Sequence, residues 1–308
     1  MRFVSFKEAG TAEPRLGFIV GDRVVDLAAG IQATAGMEDG VACPADMTGF
    51  IEAAASLIPA ARVLAALAGR DDLRDAVSRP LAETELLAPI PRPRKNVFCV
   101  GRNYAAHAAE GARAQGREVV VPSIPEFFTK PPTAVTGPES TVPLDPAVTE
   151  KFDYEVELGV VIGATGKNIP RERAMEHVFG FTIVNDFSAR DLQRSHGQWF
   201  KGKALDRSCA LGPWIVHKDD LPNFADLRIT LRVNGETRQD SRTSNMVHDV
   251  PAIIESLSRG LTLEPGDIIA TGTPEGVGYA MDPPRFLRSG DVVEAEIERI
   301  GVLRNRIG

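Results

Sequence analysis

The segment Asp153-Tyr154-Glu155-Val156-Glu157-Leu158 runs without interruption into Gly159-Val160-Val161-Ile162-Gly163. Side chains alternate along a strand, so Asp153, Glu155 and Glu157 are expected on one face and Tyr154, Val156 and Leu158 on the other. Beyond Leu158 both faces are apolar, the pattern of a strand covered on two sides. A chain built around such a strand has to fold with a sheet in its interior and an acidic strand end enclosed with it. Same-face neighbours on a strand lie about 7 Å apart, and carboxylates so placed raise one another's pKa unless a cation joins them. A solvated acidic edge is the plainer alternative, and the apolar continuation weighs against it. A second acidic strand end occurs at Asp186, closing FGFTIVND (179–186). Hard oxygen donors without cysteine or clustered histidine suit Mg²⁺, Mn²⁺ or Ca²⁺ better than zinc.

Further strand candidates are NVFCVG (96–101) and GPWIVH (212–217), and LRITLRV with ETRQD flanks Asn234-Gly235, a type I′ hairpin signal. GFIV (17–20) and RVVDL (23–27) flank Gly21-Asp22 and read as another hairpin. Residues 49–69 have roughly helical apolar spacing with an interruption at Pro59, and 252–260 reads as a helix ending at Gly260. Pro80, Pro89, Pro91 and Pro93 forbid a regular helix between them. The expected organisation is a small α/β N-terminal domain (1–75), a Pro-rich linker (76–95) and a catalytic domain (96–308). Strands outnumber helices and hairpins recur, so the fold class is α+β, a β-rich mixed-sheet roll.

The net charge of −7 provides no general positive field, which argues against nucleic-acid or anionic-membrane partners. Three cysteines without a CxxC pair exclude a disulfide framework, and Cys99 and Cys209 in apolar runs read as buried thiols. The N-terminus lacks a signal-peptide pattern and no stretch is apolar enough to span a membrane, so a cytoplasmic location is expected.

His107 and Glu110 stand three apart on the Ala-rich helix candidate 103–117, which Gly111 and Gly116 are expected to break. A carboxylate beside an imidazole fixes its tautomer, as a general base requires, although a surface His–Glu pair has the same spacing. Arg190 and Gln193 share a helical face, and Lys203 sits between glycine and apolar residues. Converging donors of this kind stabilise an enolate or carboxylate. GTPEGVG (272–278) lacks the phosphate-loop and dinucleotide spacings, and its Thr273 is suited to cupping a small anion.

In order, GRNYAAHAAE, FFTKPPTAVTGP, DYEVELGVVIG, VNDFSARDLQ, GKALDRSCALGPWIV, GDIIATGTPEGVG and GDVVEAEIERIG resemble the fumarylacetoacetate hydrolase family from about residue 96 to the end. The resemblance implies metal ligands Glu155, Glu157 and Asp186, catalytic His107, Glu110 and Lys203, and substrate contacts at Arg190, Gln193, Thr273 and Lys130. FCVGRNY carries no acid where the larger eukaryotic-type members have one, so the likeness is to the smaller branch. It implies a homodimer using Mg²⁺ or Mn²⁺ to hydrolyse a C–C bond in a 2-keto or 2,4-diketo acid. Oxaloacetate decarboxylation and hydroxymuconate-type isomerisation are the alternatives on the same site, and a non-catalytic binder is the minor one.

Overall fold

The computed structural model describes residues 1–8, 13–33, 42–68 and 74–308; position 69 of the helical stretch lies outside them. Among the described residues, twelve strands form one sheet. Its order is Ser78–Pro80, Arg23–Asp26, Arg15–Val20, Arg2–Lys7, Cys209–His217, Val178–Asp186, Val156–Ile162, Ile268–Ala270, Val97–Gly101 and Glu126–Lys130. Glu85–Leu86 joins Arg2–Lys7, and Val135–Thr136 lies parallel to Cys209–His217. Most pairs are antiparallel, whereas Ile268–Ala270 runs parallel to Val97–Gly101, so the sheet is mixed.

Five more strands form a second sheet, ordered Glu236–Arg242, Arg228–Val233, Val292–Ile297, Gly301–Ile307 and Thr141–Val142. One face of the large sheet (Leu158, Val160, Phe181, Ile183) shares an apolar cluster with Ile229, Leu231, Val293, Ala295 and Leu303 of the second. The other face (Val161, Val184, Ile215, Ile268) packs with Phe3, Phe50, Ile51 and Leu57 from the N-terminal part. Val156–Ile162 therefore lies between two apolar layers and every residue in it is buried.

The N-terminal strands extend the main sheet, with Phe3 opposite Ile215. The Pro-rich stretch 76–95, expected as a linker, is held against them. Ser78–Pro80 pairs with Arg23–Asp26, and Ser5 Oγ donates to Pro89 O at 2.7 Å. Prolines forbid a helix there but leave carbonyls to accept and an edge to pair. The hairpin at Asn234-Gly235 has φ of 51° and 79°, as a type I′ turn requires.

Two local expectations are corrected. The stretch near 49–69 breaks at Ala53, between helices Met47–Glu52 and Ala54–Leu67, and Pro59 lies inside the second. Burial of Leu57, Ala61 and Leu64 outweighs the hydrogen bond the proline cannot make. Gly111 does not break its helix, Ala105–Ala114; a Cβ there would lie 2.5 Å from the Tyr279 hydroxyl, so the glycine gives that hydroxyl room. Among the described residues no helix is long and apolar enough to cross a membrane.

Candidate active site

Val156–Ile162 and Val178–Asp186 run antiparallel with Val156 opposite Asn185, which brings the acidic beginning of one strand to the acidic end of the other. Glu155, Glu157 and Asp186 each offer a carboxylate oxygen, these atoms lie within 4.8 Å of one another, and all three residues are buried. Asp153 does not share their cluster. Its short strand, Phe152–Asp153, pairs separately with Ser188–Ala189, because the backbone leaves the ladder at Tyr154 and Glu155. Its side chain is a clamp: Oδ1 accepts from the Gly278 N–H at 2.8 Å, and Oδ2 accepts from Arg190 Nε at 2.9 Å and the Tyr279 N–H at 3.1 Å.

Buried cations brace the triad. Lys203 Nζ donates to Glu155 Oε2 and Asp186 Oδ2, both at 2.7 Å. Lys130, expected to touch substrate, is instead enclosed and donates to Asp186 Oδ1 at 2.7 Å and Phe187 O at 3.1 Å. Arg190 bonds Asp153, and its Nη2 lies 2.7 Å from Glu155 Oε1, an ion pair out of line for a hydrogen bond. Burial pushes the Glu155 carboxyl up, but Lys203 and then Arg190 outweigh it and hold it at about 2. Glu157 goes the other way. Burial, then Asp186 and Glu155, raise it well above the ordinary range, and among the described residues no Lys or Arg reaches ion-pair distance of it. Its Oε2 accepts the Gly272 N–H at 2.7 Å. Three hard oxygen donors, one with its charge uncompensated, are able to hold a divalent cation.

His107 faces the same space from the helix Ala105–Ala114. Its Nδ1 lies 2.9 Å from Glu110 Oε1, while Glu110 Oε2 accepts the Gly276 N–H at 2.9 Å. An ionised carboxylate only accepts, so the proton of a neutral ring sits on Nδ1 and Nε2 keeps its lone pair. Arg190 and Arg194 stack over the Tyr279 ring at 4.4 and 5.1 Å, and Tyr279 meets the histidine helix at Gly111.

His107, Glu155, Glu157, Arg190, Gln193, Lys203 and Thr273 line one cavity of about 750 Å³. Gln193 Oε1 accepts from Arg190 Nη1 at 3.2 Å, which fixes its amide beside the guanidinium. Asp186 is held from behind by Lys130. Cys99 and Cys209 are buried, and burial above all pushes Cys209 up to about 12, which leaves it no thiolate character.

Sequence reasoning passed over several supporting residues. Asn103 ties two segments together: Nδ2 donates to His248 O and Thr271 O, and Oδ1 accepts the His248 N–H. Gln239 reaches Thr273, and Trp199 walls the cavity against Gly101. Polar residues in hairpins and loops carry no periodic signal of burial, although Gln239 stands beside the legible Asn234-Gly235 turn.

The model of the fumarylacetoacetate (FAA) hydrolase C-terminal region matches residues 96–308. Oxaloacetate tautomerase YisK of Bacillus subtilis is 51% identical over 228 residues, covering 74% of each chain. A fumarylacetoacetate hydrolase from Exiguobacterium antarcticum is 37% identical with a TM-score of 0.78, covering 100% of this chain and 99% of its own. Maleylpyruvate hydrolase from Sphingobium sp. SYK-6, solved with manganese(II) and pyruvate, is 31% identical with a TM-score of 0.74, covering 100% and 98%. With its mixed sheet and enclosed acid triad, the chain belongs to the fumarylacetoacetate hydrolase family.

Proposed function

We propose that the protein is a divalent-metal-dependent enzyme that interconverts the enol and keto forms of a small 2-oxo acid of the oxaloacetate type. The observation that carries this reading is the imidazole wired through Glu110 to Gly276 in the cavity that Glu155 and Glu157 of the acid triad line. The Bacillus tautomerase supports the choice of reaction. Glu155, Glu157 and Asp186 would hold Mg²⁺ or Mn²⁺, which supplies Lewis-acid polarisation of a carboxylate and the neighbouring 2-oxo oxygen.

The chain's own residues then move one proton. His107 Nε2 takes it from carbon 3 while Nδ1–H stays on Glu110. The C–H electron pair becomes the C2=C3 bond, and the 2-oxo oxygen takes the negative charge. Two Lys203 N–H groups are engaged with Glu155 and Asp186, and the third is left for that oxygen. Arg190 and Thr273 receive the carboxylate. The imidazolium returns the proton to oxygen, and the reverse order gives the keto form.

Hydrolytic C–C cleavage of an acylpyruvate is the second reading. It uses the same base on a water molecule, and a cavity of about 750 Å³, in the range that accepts drug-sized ligands, leaves room for a longer acid. The Sphingobium hydrolase favours it. We also place the enzyme in the cytoplasm as a homodimer, with the exposed Val119, Val120, Val121 and Ile124, of which Val120 lines the cavity, as surface for a second copy. Light scattering checks the dimer.

The test is to strip the protein with chelator, reload it with Mg²⁺ or Mn²⁺, and follow loss of the enol absorbance of oxaloacetate, with pyruvate release measured separately. Metal-dependent acceleration of ketonisation is expected. Equal decay with and without protein overturns the reading, and faster cleavage of acylpyruvates establishes the second.

A further inference from the structure

We propose that Gln239 is a positioning residue: it fixes which way the Thr273 hydroxyl points and so makes Thr273 a donor toward carboxylate oxygens in the cavity. The inference rests on the reading above that a 2-oxo acid occupies this space.

Gln239 lies on Glu236–Arg242, in the second sheet, and is 1% exposed. The register against Arg228–Val233 shifts there, with Leu231 opposite Gln239 and Arg232 opposite Thr237, so Arg238 is an extra residue. A bulge of this kind re-aims the side chains beside it. The 272–278 turn rests directly on it: a Cβ at Gly276, where φ is +102°, would lie 2.0 Å from Arg238 O.

Gln239 Oε1 accepts the Val156 N–H at 3.0 Å. A backbone N–H can only donate, so the amide cannot be flipped. Nε2 must then direct its two hydrogens to the remaining partners, Thr273 Oγ1 and Pro274 O, both at 2.8 Å. The Pro274 carbonyl can only accept, and Thr273 Oγ1 accepts as well. The hydroxyl hydrogen of Thr273 is therefore left over, and no other hydrogen bond of this hydroxyl occurs among the described residues. Thr273 lines the cavity, so that hydrogen is available to an acceptor there. A carboxylate satisfies it; an ammonium or amide N–H in the same place would leave it unpaired. Because Val156 stands between Glu155 and Glu157, the same amide ties the turn to the strand that carries the acids.

The test is a double-mutant cycle on the Mn²⁺-loaded protein with oxalate as probe, read as Kd by calorimetry. Thr273→Val and Gln239→Glu are each expected to weaken oxalate by about ten- to a hundredfold, the loss of one hydrogen bond to a charged acceptor. A glutamate accepts from Val156 but also demands the threonine's hydrogen. The double variant is expected to bind no more weakly than Thr273→Val alone, with Mn²⁺ affinity unchanged throughout. Gln239→Asn, which keeps the amide but draws it back, goes through the same cycle as the milder variant. Wild-type oxalate affinity in either Gln239 variant or in Thr273→Val, or effects that multiply in the double variant, overturns the inference. Failure of the wild type to accelerate oxaloacetate ketonisation, with the oxalate cycle intact, counts instead against the proposed reaction.

Discussion

Replacing Lys203 by Met keeps most of the apolar stem and removes one charge from the centre of the site. The ammonium is 2% exposed and sits 2.7 Å from both Glu155 Oε2 and Asp186 Oδ2, so two enclosed carboxylates lose a partner together. Breaking a buried ion pair by removing one member costs about 3–5 kcal/mol. At about 2–4 °C per kcal/mol for chains of 150–250 residues, the metal-free variant is expected to melt about 6–20 °C lower, toward the smaller figure in a chain of this size. A divalent cation on the proposed ligands would replace the missing charge at the same oxygens. Mn²⁺ is thus expected to raise the melting temperature of Lys203→Met more than that of the wild type. Turnover does not recover in parallel, because the third N–H is gone as well, and removal of one such donor lowers kcat by about 10²–10³. Thermal melts with chelator and with Mn²⁺, followed by ketonisation assays, read both effects. A metal-free variant melting within about 1 kcal/mol of wild type, or equal Mn²⁺ shifts in the two proteins, refutes the view that Lys203 braces the triad.

Other outcomes follow from the same contacts. His107→Asn is expected to lower kcat by about 10²–10⁴ with Mn²⁺ affinity unchanged, since the ring moves a proton and holds no charge of the triad; titration with Mn²⁺ separates the two. Asp153→Asn removes the charge paired with Arg190 and turns one of two accepting oxygens into an NH2 that faces N–H donors, and is expected to cost about 3–5 kcal/mol in a denaturant melt, because the guanidinium remains enclosed. Gly111→Ala gains about 1 kcal/mol of helix propensity but drives a methyl against the Tyr279 hydroxyl, so kcat/KM is expected to fall while stability barely changes. Glu157, whose pKa is raised in the metal-free protein, binds a proton there that the unfolded chain has already lost. Stability without metal is expected to fall as pH rises from the ordinary glutamate range through the raised value, and Glu157→Gln should flatten that slope in melts across pH.

The strand positions were legible because a two-residue period is a local property. Val156–Ile162, buried throughout, follows from the apolar residues on both of its faces, and Glu157 within it and Glu155 just before it bring their carboxylates to one cluster. His107 and Glu110 meet because three residues make nearly one helical turn. Sequence could not show that Lys130 and Lys203 converge on Asp186 from 56 and 17 residues away, since that depends on how strands order in the sheet. Asp153 was misplaced because period two assumes an unbroken ladder, and the chain turns out of it at Tyr154. Gly111 and Pro59 were both read as breaks. At each, a tertiary contact or buried helix face outweighs a local propensity of about 1–3 kcal/mol.

The charges of the site explain why an acidic protein encloses so many acids. Asp153, Glu155, Glu157 and Asp186 are four buried carboxyls, and Lys130, Arg190 and Lys203 are three buried cations, so one negative charge is left over. It resides at Glu157, which alone of these four has no cation at ion-pair distance among the described residues, and burial with Asp186 and Glu155 beside it raises its pKa well above the ordinary range. A divalent cation held by the proposed ligands would leave the enclosed group, with all four carboxyls ionised, with one positive charge in excess. Enclosed charge of one sign attracts the other strongly where water is scarce, so the loaded site calls for an anion and disfavours a neutral ketone. The carboxylate beside the 2-oxo group of the proposed substrate would restore balance, and the proton movement proposed for His107 would then need no further charge from solvent. An analogue esterified with methanol at the carboxylate beside the 2-oxo group, and so carrying one charge fewer, is therefore expected to lose affinity even though every oxygen that could be polarised is still present. Equal binding of ester and acid in calorimetry would mean that the excess charge has no part in recognition.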